Sequence, residues 1–240
     1  MIVRLLLAAL AAGLIAGMAM TPAQYARVVP LILHAETFEN SDAGHDHGVS
    51  ETATAVETAA HDHEEDESVL GLGRLGNTVL ANLVAGAGFA LLLAAVALLS
   101  GFEFPKGREG VIRGVLLGAA GWFSIQLAPG FSLPPELPGF PYADLFARQT
   151  WWTSTVVFSA VGVWLIAVRR EWAINLAGLA LIVAPHVWGA PVPEDISSDV
   201  PALLAAEYAS AALATTLFFW VLLGGLLGLF LSRVPQDATA

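Results

Sequence analysis

Apolar residues in this chain are clustered into six runs, approximately 4–33, 76–100, 111–129, 151–168, 173–188 and 202–231, divided by short polar segments. A membrane helix needs about 20 apolar residues to cross a hydrocarbon core about 30 Å thick. The second, third and sixth runs meet that length and the fourth nearly does. The first is longer than required, and Pro22 and Pro30 interrupt its outer part. At about 1.5 Å per residue its tail projects past the lipid and carries Arg27 and His34 into the headgroup zone or beyond. The fifth, Ala173 to Trp188, is the shortest at roughly 24 Å. The pattern predicts an all-α integral membrane protein, a bundle of about six transmembrane helices with a disordered, acidic, His-rich outer loop. Its divisions are a first helix over 1–34, the loop over 35–75, a five-helix membrane bundle over 76–233 and a tail over 234–240.

Composition agrees. Of the 240 residues, 56% are hydrophobic and 13% charged, whereas a soluble domain needs about 25% charged residues to wet its surface. That excludes an ordinary globular enzyme and a disordered chain. The net charge of −11 argues against a nucleic-acid partner, which demands a basic face. With no cysteine, disulfides, thiolate metal sites, iron–sulfur clusters and Cys nucleophiles are all excluded.

Positive charge near helix ends sets orientation. With a cytoplasmic N-terminus, the inner segments hold Arg4, Lys106, Arg108, Arg113, Arg169, Arg170 and Arg233, and the outer side only Arg27, Arg74 and Arg148. Six spans with both termini inside fit this bias better than five. Met1 to about Ala23 also has the shape of a signal peptide. It is taken as an uncleaved anchor, and cleavage would leave the downstream topology unchanged. Glycines four apart (Gly13 and Gly17, Gly114 and Gly118, Gly224 and Gly228) suit close helix packing. Trp151, Trp152, Trp172 and Trp188 fall at span ends, as an aromatic belt would.

This orientation gathers the polar chemistry outside. Seventeen of 21 acidic residues and all six histidines lie there, so the outer face concentrates cations. The first outer loop carries one tripeptide twice, His45-Asp46-His47 and His61-Asp62-His63, the second followed by Glu64-Glu65-Asp66-Glu67. Its composition cannot bury a core. Imidazole nitrogen with carboxylate oxygen suits borderline divalent metals such as cobalt, nickel and zinc, and two such arms on a tether could close around one ion. The competing view is a solvated acidic loop with incidental histidines.

Nearer the membrane, His34 and Glu36 follow the first helix, with Glu39 a turn later. Glu136 sits in the stiff Leu133-Pro134-Pro135-Glu136-Leu137-Pro138-Gly139 loop, His186 follows Pro185 in the fifth span, and Glu207 lies near the start of the last helix, which Asp199 could cap. For Glu207, pairing with Arg148 or Arg27 competes with a ligand role, and His186 taken alone reads as a satisfied interfacial histidine before it reads as a ligand. Together, His34, Glu36, Glu136, His186 and Glu207 are expected to form an outward cation vestibule. No phosphate-binding G-x-x-x-x-G-K-[ST], no H-E-x-x-H and no G-x-S-x-G occurs. Gly71-Leu72-Gly73-Arg74-Leu75-Gly76 matches a dinucleotide fingerprint in letters only, because it leads into a membrane span. Charges are nearly absent from mid-span. Gln126 beside Pro129 is the most plausible pathway group there.

Several segments together resemble the predicted cobalt transporter subunit CbtA family. They are Arg4 through Gly17, Val29-Pro30-Leu31-Ile32-Leu33-His34-Ala35-Glu36, the acidic His-rich loop, Leu127-Ala128-Pro129, the Glu136 loop, Arg148-Gln149 with Trp151-Trp152, Pro185-His186 with Gly189-Ala190-Pro191, and Glu207. The resemblance implies a bacterial inner-membrane protein taking up cobalt for cobalamin synthesis beside a small single-span, His-bearing companion subunit. It lends importance to Glu36, Glu136, Arg148, His186 and Glu207, while the His-Asp-His loop rests on chemistry alone. The expected function is a membrane subunit for uptake of divalent cobalt, with nickel or zinc as the other ions its ligands suit. The alternative is a non-transporting metal sensor or assembly partner. No enzyme activity and no cofactor are expected, the metal being cargo.

Overall fold

The computed structural model describes residues 2–42 and 72–234, without the side chains of residues 39–42. Every regular element among the described residues is helical: α1 (Ile2–Arg27), α2 (Val29–Asp42), α3 (Gly73–Ser100), α4 (Arg108–Trp122), a π-helical turn (Phe123–Leu127), α5 (Ala128–Ser132), α6 (Leu145–Val168), α7 (Trp172–Trp188) and α8 (Ala202–Leu231). Five segments are long and apolar enough to cross a membrane: α1, α3, the continuous Arg108–Ser132, α6 and α8. The chain is an all-α, multi-pass membrane protein. The sixth apolar helix, α7, has 17 residues.

The first run is two helices rather than one. Val28 sits at a turn between α1 and α2. Pro30 lacks the N–H that would continue the ladder, and its ring crowds the carbonyl four residues back, so the helix breaks there. Pro22 remains inside α1. The fourth run starts earlier than its hydropathy indicates. Asp144 caps α6 by accepting the Ala147 N–H at 2.9 Å, which draws polar Arg148 and Gln149 into the first turns. At α8 the expected Asp199 cap is absent: Pro201 occupies the cap position with no side-chain bond.

The helices run antiparallel in pairs. α1 packs against α3 and α8, α4 against α8, and α6 against α7. Three of these pairs close on glycine. Gly13 and Gly86 bring the α1 and α3 backbones together, Gly114 and Gly224 do the same for α4 and α8, and Gly162 faces Gly178 across α6 and α7. Gly17, Gly118 and Gly228 sit at these same seams, as their four-residue spacing predicts. The core between α1, α3 and α8 is built from Ala9, Ala12, Ala16, Leu93, Trp220 and Leu223. Phe89 lies 4.8 Å from the Trp220 ring.

With helices alternating in direction, α2, the 133–144 loop and the 189–201 loop share one end. There Ala35, Leu137, Val200 and Leu204 form a second, smaller apolar cluster. Arg4, Lys106, Arg108, Arg169, Arg170 and Arg233 fall at the other end. Trp172 and Trp188 are exposed at opposite ends of α7, but Trp151 is buried and leaves the belt. Its indole N–H donates to the Pro185 carbonyl at 3.2 Å.

Candidate functional site

The end carrying α2 and the two longer loops holds every described candidate ligand. Their partners separate them into three groups.

Glu36, on α2, faces Arg74 at the start of α3, with carboxylate-to-guanidinium distances of 3.3 Å. Two residues before it, His34 is exposed and packs on Phe38, the tilted rings 5.6 Å apart. Further down this seam, Asn82 donates to Thr21 at 3.0 Å and to Gln24 at 2.7 Å, tying α3 to the outer part of α1.

Glu136 pairs with Arg148. The proline-rich loop presents the carboxylate, and the second turn of α6 presents the guanidinium, which also sits 5.2 Å over the Tyr142 ring. The Tyr142 hydroxyl donates to the Leu137 carbonyl and so anchors the loop to itself. The Arg148 side chain is only 15% exposed, and its Nε–H is buried with no partner among the described residues. A guanidinium this withdrawn from water needs a countercharge, and Glu136 supplies it. Leu133, Glu136, Leu145, Arg148, Gln149 and Trp152 line a shallow cavity of about 380 Å³ at this point. Arg148 is therefore not the partner of Glu207, which is exposed on the first turns of α8.

His186 belongs to the third group. Its Nδ1 lies 2.8 Å from the Ser132 hydroxyl. Phe131 and Trp151 meet it edge-on, at 5.6 Å and 5.9 Å between centroids. Two prolines create this junction. Pro129 opens α5, and Pro185 sits within the last turn of α7. In the tautomer whose Nδ1–H donates to Ser132, the other ring nitrogen, Nε2, keeps the lone pair a metal requires.

Outside the spans, Asp195 accepts the Ser197 N–H at 2.8 Å, which holds its carboxyl below the ordinary aspartate range. This organises the 189–201 loop without contributing a ligand. Among the described residues no three His, Asp or Glu side chains converge on one point. His34, Glu36, Glu136, His186 and Glu207 share one end of the bundle, but the structure joins each described carboxylate–arginine pair locally rather than uniting the five. His45, Asp46, His47, His61, Asp62 and His63 lie outside the described residues.

A family model described as probable cobalt transporter subunit (CbtA) matches residues 2–232. The chain belongs to the CbtA family. Membership spans both the tightly packed helices and the polar end, so the Glu136–Arg148 pair and the His186 junction are parts of a probable cobalt transporter subunit. No curated protein and no solved structure was found to match the chain. Ser132 and the π-helical turn are features that sequence reasoning missed. Pro129 was their signal, since a proline inside an apolar run leaves main-chain groups to be satisfied elsewhere.

Proposed function

We propose that the chain is the membrane subunit for uptake of divalent cobalt, with nickel and zinc as competing ions. It lies in the bacterial inner membrane with both termini in the cytoplasm and works with a small single-span, His-bearing companion. Family membership over nearly the whole length carries this reading. Its chemistry comes from the outward imidazoles and carboxylates. The loop bearing His45, Asp46, His47, His61, Asp62 and His63 captures the ion. His34, Glu36, Glu136, His186 and Glu207 then replace part of its water shell.

Carboxylates engaged by arginine are poor ligands until the pair opens. In this mechanism the arriving dication competes with Arg74 for Glu36 and with Arg148 for Glu136. Imidazole binds metal only when neutral, so capture weakens as pH falls towards about 6. The arginine pairing also favours a second reading, a membrane metal sensor or assembly partner in which opening of the pairs is itself the signal.

Purified chain reconstituted in vesicles loaded with a cobalt-sensitive dye, with and without the companion, separates the two. Uptake in either composition supports the transporter. Cobalt binding without dye response in both compositions overturns it in favour of the sensor. Replacing His45, His47, His61 and His63 together lowers uptake at scarce cobalt and spares it at high cobalt. Unchanged uptake at every concentration removes the loop from the mechanism.

A further inference from the structure

The third crossing is not a continuous α-helix. It proceeds from α4 through the π-helical turn Phe123–Leu127 into α5. At the end of that turn the Ala128 N–H bonds to the Phe123 carbonyl, five residues back. In an α-helix that donor would serve Ser124, and the next residue, Pro129, has no N–H to offer. The Ser124 carbonyl is left without a helical donor. The Gly130 N–H, next along, can serve only one of Ile125 and Gln126. Two main-chain oxygens of this membrane-crossing segment therefore lack a donor from their own helix.

Such oxygens are not tolerated against lipid. At bilayer depth they are met by neighbouring helices, side chains or water, or they line a polar cavity, and π-helical turns are frequent at functional sites. The neighbouring helix supplies an independent sign. The π-helical turn packs on α6, where the Ser159 hydroxyl is fully buried with no partner among the described residues. Both open groups lie at one depth. His186 touches Ser132 and Trp151, and Ser124 and Ser159 each lie eight residues, about 12 Å, further along their helices from that level.

We propose that this break is a waypoint for the cargo, in which the open main-chain oxygens of the 124–126 turn, the half-buried Gln126 amide and the Ser159 hydroxyl receive a hydrated divalent cation handed on from His186. The inference rests on the uptake reading and names the step that follows capture. The groups are neutral dipoles, and their role is to accept hydrogen bonds from the ion's water shell. A charged side chain at that depth would hold a dication too firmly for it to leave, whereas transit requires a site weak enough to release. Near absence of charge from mid-span follows from the same requirement.

The chain has no cysteine, so Gln126→Cys and Ser159→Cys are single reporters in the full-length protein. In right-side-out vesicles, both are expected to react with a small impermeant cationic thiol reagent added outside. Cobalt is expected to slow that labelling. Val84→Cys, at a residue 64% exposed on the outside of a membrane-crossing helix, stays inert. Reporters as inert as Val84→Cys, or labelled without cobalt protection, overturn the proposal. Should Ser159→Cys fail to fold, the half-buried Gln126→Cys decides by itself. In the dye-loaded vesicles Gln126→Leu lowers uptake at saturating cobalt by roughly tenfold, the factor expected for one lost hydrogen bond near a charge. Protected reporters in a chain that moves no cobalt sink the uptake reading and retain the site. Normal uptake with inert reporters does the reverse.

Discussion

Between α4 and α8 the two backbones touch through Gly114 and Gly224, while between α5 and α7 the contact runs through a serine hydroxyl and an imidazole. The first seam has no room for a side chain. The second is built from two proline-interrupted helices, and the π-helical turn and the Ser159 hydroxyl, which has no partner among the described residues, lie about 12 Å further along. In a bilayer, where hydrophobicity does not drive helices together, close van der Waals fit supplies rigidity, and unsatisfied polar groups mark the places where something passes or binds. On the proposed reading the glycine seams are the frame and the proline junction is the working part.

The sharpest way to break that contrast is to insert a side chain into the frame. A Cβ at Gly114 would meet the Gly224 carbonyl and lie 2.8 Å from the Gly228 nitrogen. Gly114→Leu is expected to cost about 3 kcal/mol or more and to abolish a monodisperse peak in detergent gel filtration. Gly88, with nothing within 4 Å of its added Cβ, should accept the same change without loss. Equal behaviour of the two variants would refute the seam.

A smaller effect belongs to the polar end. Glu136→Gln leaves the largely buried Arg148 without its countercharge and should lower stability by roughly 1–3 kcal/mol, read as a shift in thermal unfolding. The double variant with Arg148→Met should recover most of the loss. Additivity of the two changes would show that they do not interact. Ser132→Ala should leave folding intact and weaken half-saturation by cobalt about tenfold, because it frees the imidazole it orients. An unchanged uptake curve would remove Ser132 from the site.

The smallest effect concerns the 189–201 loop. The Asp195 carboxyl is held low by the Ser197 N–H, so its contribution is complete above the usual aspartate value of about 3.9 and fades as pH falls through its depressed value. Hydrogen exchange at the Ser197 amide should quicken below that value in the native chain and be fast at every pH in Asp195→Ala, which removes the acceptor. Equal exchange in both at neutral pH would show the turn to be held by other groups.

That the chain is a multi-pass bundle of membrane helices was legible because twenty-residue apolar runs have few alternative structures. Four-residue glycine spacings revealed two seams for the same reason of geometry, whereas Gly162 and Gly178 are single glycines on different helices and advertise nothing until the fold pairs them. The break at Val28 and the π-helical turn each follow a proline, Pro30 and Pro129. Sequence says that a proline disturbs a helix, but whether the chain bends, stops or widens depends on neighbours. Site partners were the least legible. Glu136 reaches Arg148 because the proline-rich loop folds back on the second turn of α6, and Arg148 then has no charge to spare for Glu207. Trp151 read as a belt residue because hydropathy reports depth but not which side of a helix faces protein.

Sidedness decides the account most directly. In the cysteine-free chain, single cysteines at Ser50 and Lys106 can be probed with an impermeant reagent on intact cells and again after permeabilisation. Uptake requires Ser50→Cys to label in intact cells and Lys106→Cys only after permeabilisation. The opposite pattern would place the histidines and their acidic neighbours in the cytosol and contradict import from that face.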